Sequence, residues 1–122
     1  ETRLDEVPPA PISAPLLDWA IENLLKNGLD AIDKNQGRLE LVCRRPPGTD
    51  TIEILVSDNG RGMSSSIRKR VFDPGFSTKQ RGWGMGLALV QRIVEEVHRG
   101  RIEILRSVEG EGSTFRLVLP LR

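Results

Sequence analysis

The sequence predicts an α+β fold, a two-layer sandwich in which helices cover one face of a mixed β-sheet. Three observations carry this. Two long stretches keep apolar residues at helical spacing, each is followed by two short apolar strands, and turn residues separate the strands of each pair. The resulting order of helix, two strands, loop, helix, two strands fits helices layered on one side of a single sheet.

Residues 1–15 hold Pro8, Pro9, Pro11 and Pro15. Proline lacks an N–H and restricts its neighbour, so this stretch reads as an extended entry segment, with a short edge strand near Leu4–Val7. The domain proper is expected over residues 16–122. Leu16 to about Lys34 predicts a helix whose buried arc is Leu17, Ile21, Leu24, Leu25, Gly28 and Ile32. Asn23, Asn27 and Asp30 share a separate arc at i, i+4 and i+7, so two amides and a carboxylate line up beside the buried face. Leu39–Arg44 and Thr51–Asp58 predict strands joined through Pro46-Pro47-Gly48-Thr49-Asp50. Ser64–Val71 predicts a short helix, and Phe72–Trp83 a loop rich in Gly, Ser and Lys. Gly84–Val97 predicts the second long helix, with Leu87, Val90, Val94 and Val97 on its apolar stripe and Gly100 as its stop. Arg101–Arg106 and Ser113–Leu119 predict the last two strands, around Glu109-Gly110-Glu111-Gly112.

Composition excludes several functions. The 122 residues amount to one domain, and 38% hydrophobic with 29% charged residues is a globular composition. A net charge of +1 argues against a nucleic-acid or anionic-membrane surface. One cysteine, Cys43, excludes an internal disulfide framework and a Cys-based zinc site. One histidine, His98, excludes His-rich metal sites. No apolar run approaches the roughly 18 residues of a membrane span, and the opening Glu1-Thr2-Arg3-Leu4-Asp5-Glu6 is not a signal peptide. The chain lacks an initiator methionine and is expected to be a piece of a longer protein.

Four motifs carry chemistry, each with a plainer alternative. Asp58-Asn59-Gly60-Arg61-Gly62 ends an apolar strand; its carboxylate can receive a ligand donor, or can simply close an Asx turn. Gly82-Trp83-Gly84-Met85-Gly86-Leu87 opens the second helix, where bare N–H groups favour phosphate; alone, it is also an ordinary glycine-rich loop. Phe72-Asp73-Pro74-Gly75-Phe76-Ser77-Thr78-Lys79 offers two aromatic pegs for a lid and a lysine within reach of phosphate, or core phenylalanines and a solvated lysine. Asn27 has an amide oxygen suited to Mg²⁺, although a lone Asn is commonly a solvated amide.

Taken in this order and spacing, the sequence resembles the ATP-binding catalytic domain of sensor histidine kinases, in the gyrase–Hsp90–histidine kinase–MutL superfamily. Glu22–Ala31 resembles the N box, Asp58–Gly62 the first glycine box, Phe72–Lys79 the F box and Gly82–Leu87 the second glycine box. Gly110-Glu111-Gly112-Ser113-Thr114 resembles the last glycine-containing box. The resemblance covers about Leu16 to Leu119. It implies the Bergerat ATP-binding fold, with ATP and Mg²⁺ as cofactors. Asp58 is then expected to accept from the adenine amino group, with Thr114 near it. Asn27 is expected to hold Mg²⁺, with Asn23 and Asp30 beside it at the nucleotide, and Gly60 and Gly62 to allow close approach. Gly82, Gly84, Met85, Gly86 and Leu87 would form the lid hinge and phosphate-facing helix start, and Lys79 would touch the terminal phosphate. Gly28 departs from the family's usual Ala, at up to ~1 kcal/mol of helix propensity, and Trp83 is bulky for its place. Neither removes a ligand group.

The chemistry follows from one position. In the superfamily's ATPases and serine kinases a glutamate one turn before the Asn27 equivalent acts as general base; here that residue is Asn23. Glu22 lies about 100° round the helix. An amide takes no proton, which favours transfer of the γ-phosphate to an already nucleophilic imidazole on another domain. No catalytic residue is therefore assigned in this chain. His98 is read as a helix-end residue, about 21 Å along the helix from Gly84. The implied setting is two-component signalling in the cytoplasm, including the cytoplasmic part of a membrane-anchored sensor. The implied partners are a histidine-bearing dimerisation domain of the same parent and a downstream response regulator, with no nucleic acid and a monomeric fragment. The alternatives are an ATPase conformational switch of the same superfamily and a non-enzymatic nucleotide-sensing module.

Overall fold

The computed structural model describes residues 2–4, 14–32, 36–75 and 86–121. Its elements are β1 (Thr2–Leu4), α1 (Ala14–Ala31), β2 (Leu39–Arg44), β3 (Thr51–Asp58), α2 (Ser65–Arg70), α3 (Gly86–Arg92) continued by a π-helical turn (Ile93–Val97), β4 (Arg101–Val108) and β5 (Gly112–Pro120). One five-stranded sheet runs β1-β2-β3-β5-β4. β1 pairs parallel with β2 and every other ladder is antiparallel, so the sheet is mixed, as predicted.

Strand alternation builds the core. Ile52, Ile54 and Val56 of β3 and Phe115, Leu117 and Leu119 of β5 share a buried cluster with Leu17, Ala20 and Leu24 of α1 and with Val90 and Val94. α1 and α3 pack on each other and α1 packs on the central strands, which puts these helices on one face. The opposite face carries charge. Glu53, only 6% exposed, is held from β2 by Arg44 and from β5 by Arg116, and Arg116 also pairs with Glu103 of β4. A carboxylate so nearly removed from water needs such partners. Among the described residues no helix is long and apolar enough to cross a membrane.

Several predicted boundaries differ. α1 starts at Ala14, so Pro15 lies in its first turn, where a missing N–H costs nothing because first-turn N–H groups have no intrahelical acceptor. The helix ends at Ala31, and the entry strand is described over Thr2–Leu4; the predicted helix end, Lys34, and residues 5–7 of the predicted strand Leu4–Val7 lie outside the described residues. The last strands extend to Val108 and Pro120. α2 keeps its predicted place, capped by the Ser64 hydroxyl accepting from Ile67 N–H at 3.3 Å.

The second long helix is not α-helical throughout. Its last turn is a π turn, in which His98 N–H donates to Ile93 O at 3.1 Å, one residue further back than an α bond reaches. The turn carries the apolar stripe past Val97. Val97, predicted inside, is 51% exposed, and His98 takes the buried place at 6%. His98 Nδ1 also lies 2.9 Å from Ile93 O. A carbonyl only accepts, so Nδ1 carries the proton.

The helix stop also differs in detail. Gly100 does not adopt the left-handed conformation; Arg99 does, with φ +55°. A Cβ on Gly100 would overlap Val118 O, so the glycine is needed for close approach to β5. Arg99 therefore takes a conformation that costs an L-residue about 1–2 kcal/mol. Arg99→Gly should stabilise the domain by roughly 0.5–1 kcal/mol, the remainder being lost to the greater freedom of unfolded glycine. Urea denaturation checks this, and an unchanged midpoint would exclude strain at Arg99.

Candidate nucleotide site

The site forms where the end of β3 meets α1. Asp58 closes β3 on the helix-covered face, paired with Leu39 on one side and Ser113 on the other. Its Oδ1 accepts from Gly60 N–H at 2.8 Å, so the Asx turn is present. Oδ2 faces α1: a Cβ built on Gly28 would lie 3.8 Å from it. One carboxylate thus shapes its own loop and addresses the helix beside it.

The loop after Asp58 is fastened at several points. Arg61 N–H donates to Ala31 O at 2.9 Å, and Gly110 N–H donates to Arg61 O at 2.8 Å. Asn59 Oδ1 accepts from Arg38 N–H at 2.6 Å, and Met63 N–H donates to Ser107 Oγ at 2.9 Å. Gly60 and Gly62 have structural reasons of their own. A Cβ on Gly60 would overlap Ala31 O; Gly62 has φ +67°, and a Cβ there would overlap Val108 O. Their bare backbones approach α1 and the β4 end.

Along α1 the predicted polar arc is present. Asn23 and Asn27 are half-buried, while Glu22 and Asp30 are exposed. Asn23 Nδ2 donates to Trp19 O at 2.8 Å, and its Oδ1 lies 3.5 Å from a Cβ built on Gly86. The amide oxygen therefore faces the start of α3. Asp30 O accepts from Arg61 Nη1 at 3.4 Å. Leu87 packs against the core cluster, as does Phe72, whose ring meets Phe115 edge-on with centroids 6.2 Å apart. Phe76, Lys79, Gly82, Trp83, Gly84 and Met85 lie outside the described residues. Among the described residues no group of three or more His, Cys, Asp or Glu side chains is placed to hold a metal.

Thr114 requires correction. Successive strand residues face opposite sides of a sheet, and Thr114 lies on the face away from Asp58, its Oγ1 3.0 Å from Ser57 Oγ. The residue on the Asp58 side is Ser113, its direct ladder partner, buried with its hydroxyl 2.8 Å from Ser107 Oγ. Ser113, which motif matching missed, is the β5 residue that shares the Asp58 face.

The comparisons give the family of this fold. Residues 13–122 match the family described as histidine kinase-, DNA gyrase B-, and HSP90-like ATPase, and the chain belongs to that family. Its relatives include the nitrogen regulation protein NtrY of Azorhizobium caulinodans, 37% identical over 93% of this chain and 16% of that protein. They also include the sensor histidine kinase ZraS of Salmonella typhimurium, 39% identical over 86% of this chain and 22% of that protein. The chain thus spans about a fifth of the length of these relatives. In fold it is similar to the catalytic domain of the histidine kinase ThkA, with a TM-score of 0.83 at 22% identity over 98% of this chain and 76% of that one. A mycobacterial sensor histidine kinase, MprB, gives 0.82 at 24% identity over 100% and 84%. The domain is of the histidine-kinase catalytic type.

Proposed function

We propose that the chain binds Mg-ATP and donates its γ-phosphate to a histidine on a separate dimerisation domain of the same parent protein, in two-component signalling. The observation that carries this is Asn23, whose amide oxygen faces the start of α3 where a hydrolytic relative needs a carboxylate. Exposed Glu22 does not replace it. Without a general base, the chain supplies positioning and electrostatics, and the acceptor must arrive already nucleophilic, as a neutral imidazole does.

In this reading Asp58 receives the adenine amino group and Ser113 backs it from β5. Asn27 holds Mg²⁺, with Asn23 and Asp30 alongside. Gly60 and Gly62 keep the loop close to the nucleotide, while Gly82, Gly84, Met85, Gly86, Leu87 and Lys79 form the phosphate end. The donor set fits the ion: amide oxygens are hard ligands, and Mg²⁺ takes few protein ligands and keeps its waters. When bound, the ion would neutralise phosphate charge. The reading places the chain in the cytoplasm as a monomeric domain, with a response regulator downstream and no nucleic acid.

The test is incubation with γ-labelled ATP, alone and with the histidine-bearing dimerisation domain. Acid-labile label should appear only on the added domain. His98 is buried and bonded at Nδ1, so label on this chain that disappears in His98→Ala would overturn the proposal. Asn27→Ala should weaken ATP binding mainly when Mg²⁺ is present; an equal loss in excess EDTA would remove its metal role.

A further inference from the structure

Gly28 is buried on the face of α1 that meets Asp58, and the space its side chain would take is filled. A Cβ built there would stand 2.5 Å from Leu39 Cδ1, 3.5 Å from Asp58 Cβ and 3.8 Å from Asp58 Oδ2. Leu39 heads β2 directly opposite Asp58 in the ladder. Glycine inside a helix is unfavourable relative to alanine, yet α1 carries one at this point and a leucine methyl occupies the gap. Leu39 and Asp58 are both half-buried, so neither is sealed into the core.

We infer that Leu39 determines base specificity: its Cδ1 methyl fills the space Gly28 leaves beside Asp58, forming the inner wall of the base pocket. A purine with a free exocyclic amino group fits against that wall, and one carrying a bulky group on the same nitrogen does not. The inference rests on Asp58 receiving the adenine amino group, as proposed above. Interiors are close-packed, so one methyl at such a place decides what enters. Truncating half-buried Leu39 removes that methyl and leaves apolar space that an apolar group can take up. Because Gly28 contributes no Cβ, removal of the Leu39 side chain opens the space from both walls at once.

The experiment titrates ATP and N6-benzyl-ATP, each with Mg²⁺, into the unaltered chain, Leu39→Ala and Leu41→Ala. Leu41 lies on the same face of β2, packs on the core and serves as control for general loosening. Leu39→Ala should shift the affinity ratio toward the benzyl analogue at least tenfold, while Leu41→Ala leaves it unchanged. An unshifted ratio in Leu39→Ala, or an equal shift in Leu41→Ala, overturns the inference alone. An unaltered chain that binds no ATP overturns the nucleotide-site reading and this inference with it. If circular dichroism shows Leu39→Ala unfolded, Leu39→Val with N6-methyl-ATP carries the test on the same criterion of direction.

Discussion

Asp58→Ala should weaken ATP binding by about 10–150-fold, the loss of a charge-assisted hydrogen bond of roughly 1.5–3 kcal/mol. Asp58 also has a structural duty, so one substitution is not enough. Its Oδ1 also holds Gly60 N–H, and alanine loses both. Asp58→Asn keeps an oxygen for Gly60 while removing the charge that faces α1. Calorimetric titration should therefore show weakened binding in both variants, with the asparagine protein retaining the melting behaviour of the unaltered chain. Full affinity in Asp58→Asn would mean that the carboxylate acts through its turn alone. Full affinity in both would remove Asp58 from the site.

Gly112→Ala should be strongly destabilising. Gly112 has φ +120°, and a Cβ there would overlap Asp58 O and stand 2.7 Å from Asn59 Cα. Backbone strain of about 1–2 kcal/mol adds to overpacking of about 1–3 kcal/mol, on the order of 3 kcal/mol in all. A melting temperature lower by roughly 10–15 °C is expected for a domain of this size. Gly110→Ala is the control: φ is +81°, but nothing lies within 4 Å of the added Cβ. It should cost only the strain, about 1–2 kcal/mol. Equal losses in the two variants would show that the overlap relaxes.

The strands beside the site were legible because their apolar alternation is bounded by unambiguous turn residues: Leu39–Arg44 and Thr51–Asp58 are found as predicted. The two-layer arrangement follows from the same alternation together with the stripe on α1. Ser113 was legible too. Phe115, Leu117 and Leu119 alternate inward, and the same parity reaches Ser113, so period alone assigns Thr114 to the outer face; the box-like motif outweighed it. The π turn gave no such signal. Val94 to Val97 satisfies α spacing, and only tertiary packing, with Gly100 against Val118 O, decides that His98 turns inward. The Leu39–Gly28 contact joins residues on different elements, which helical or strand periodicity cannot pair. The purpose of Gly60 was visible as a need for a bare backbone, but not that Ala31 O is what approaches it.

The π turn at Ile93–Val97 has a consequence for chain length. Such a turn holds one residue more than the α-helix it interrupts, so it is a place where the polypeptide has slack. Glu95 and Glu96 are exposed there, and the anchors on either side, Val90 within α3 and Gly100 against β5, are fixed by packing. Removing one of these glutamates would let the segment re-form as ordinary α-helix with both anchors kept in place. A one-residue deletion between Asn23 and Asn27 has no such reserve: it would turn Asn27 by about 100° about the helix axis relative to Asn23. The two helices that flank the candidate site therefore differ in how they tolerate a change of length, and α3 with its π turn is the one that can absorb a lost residue.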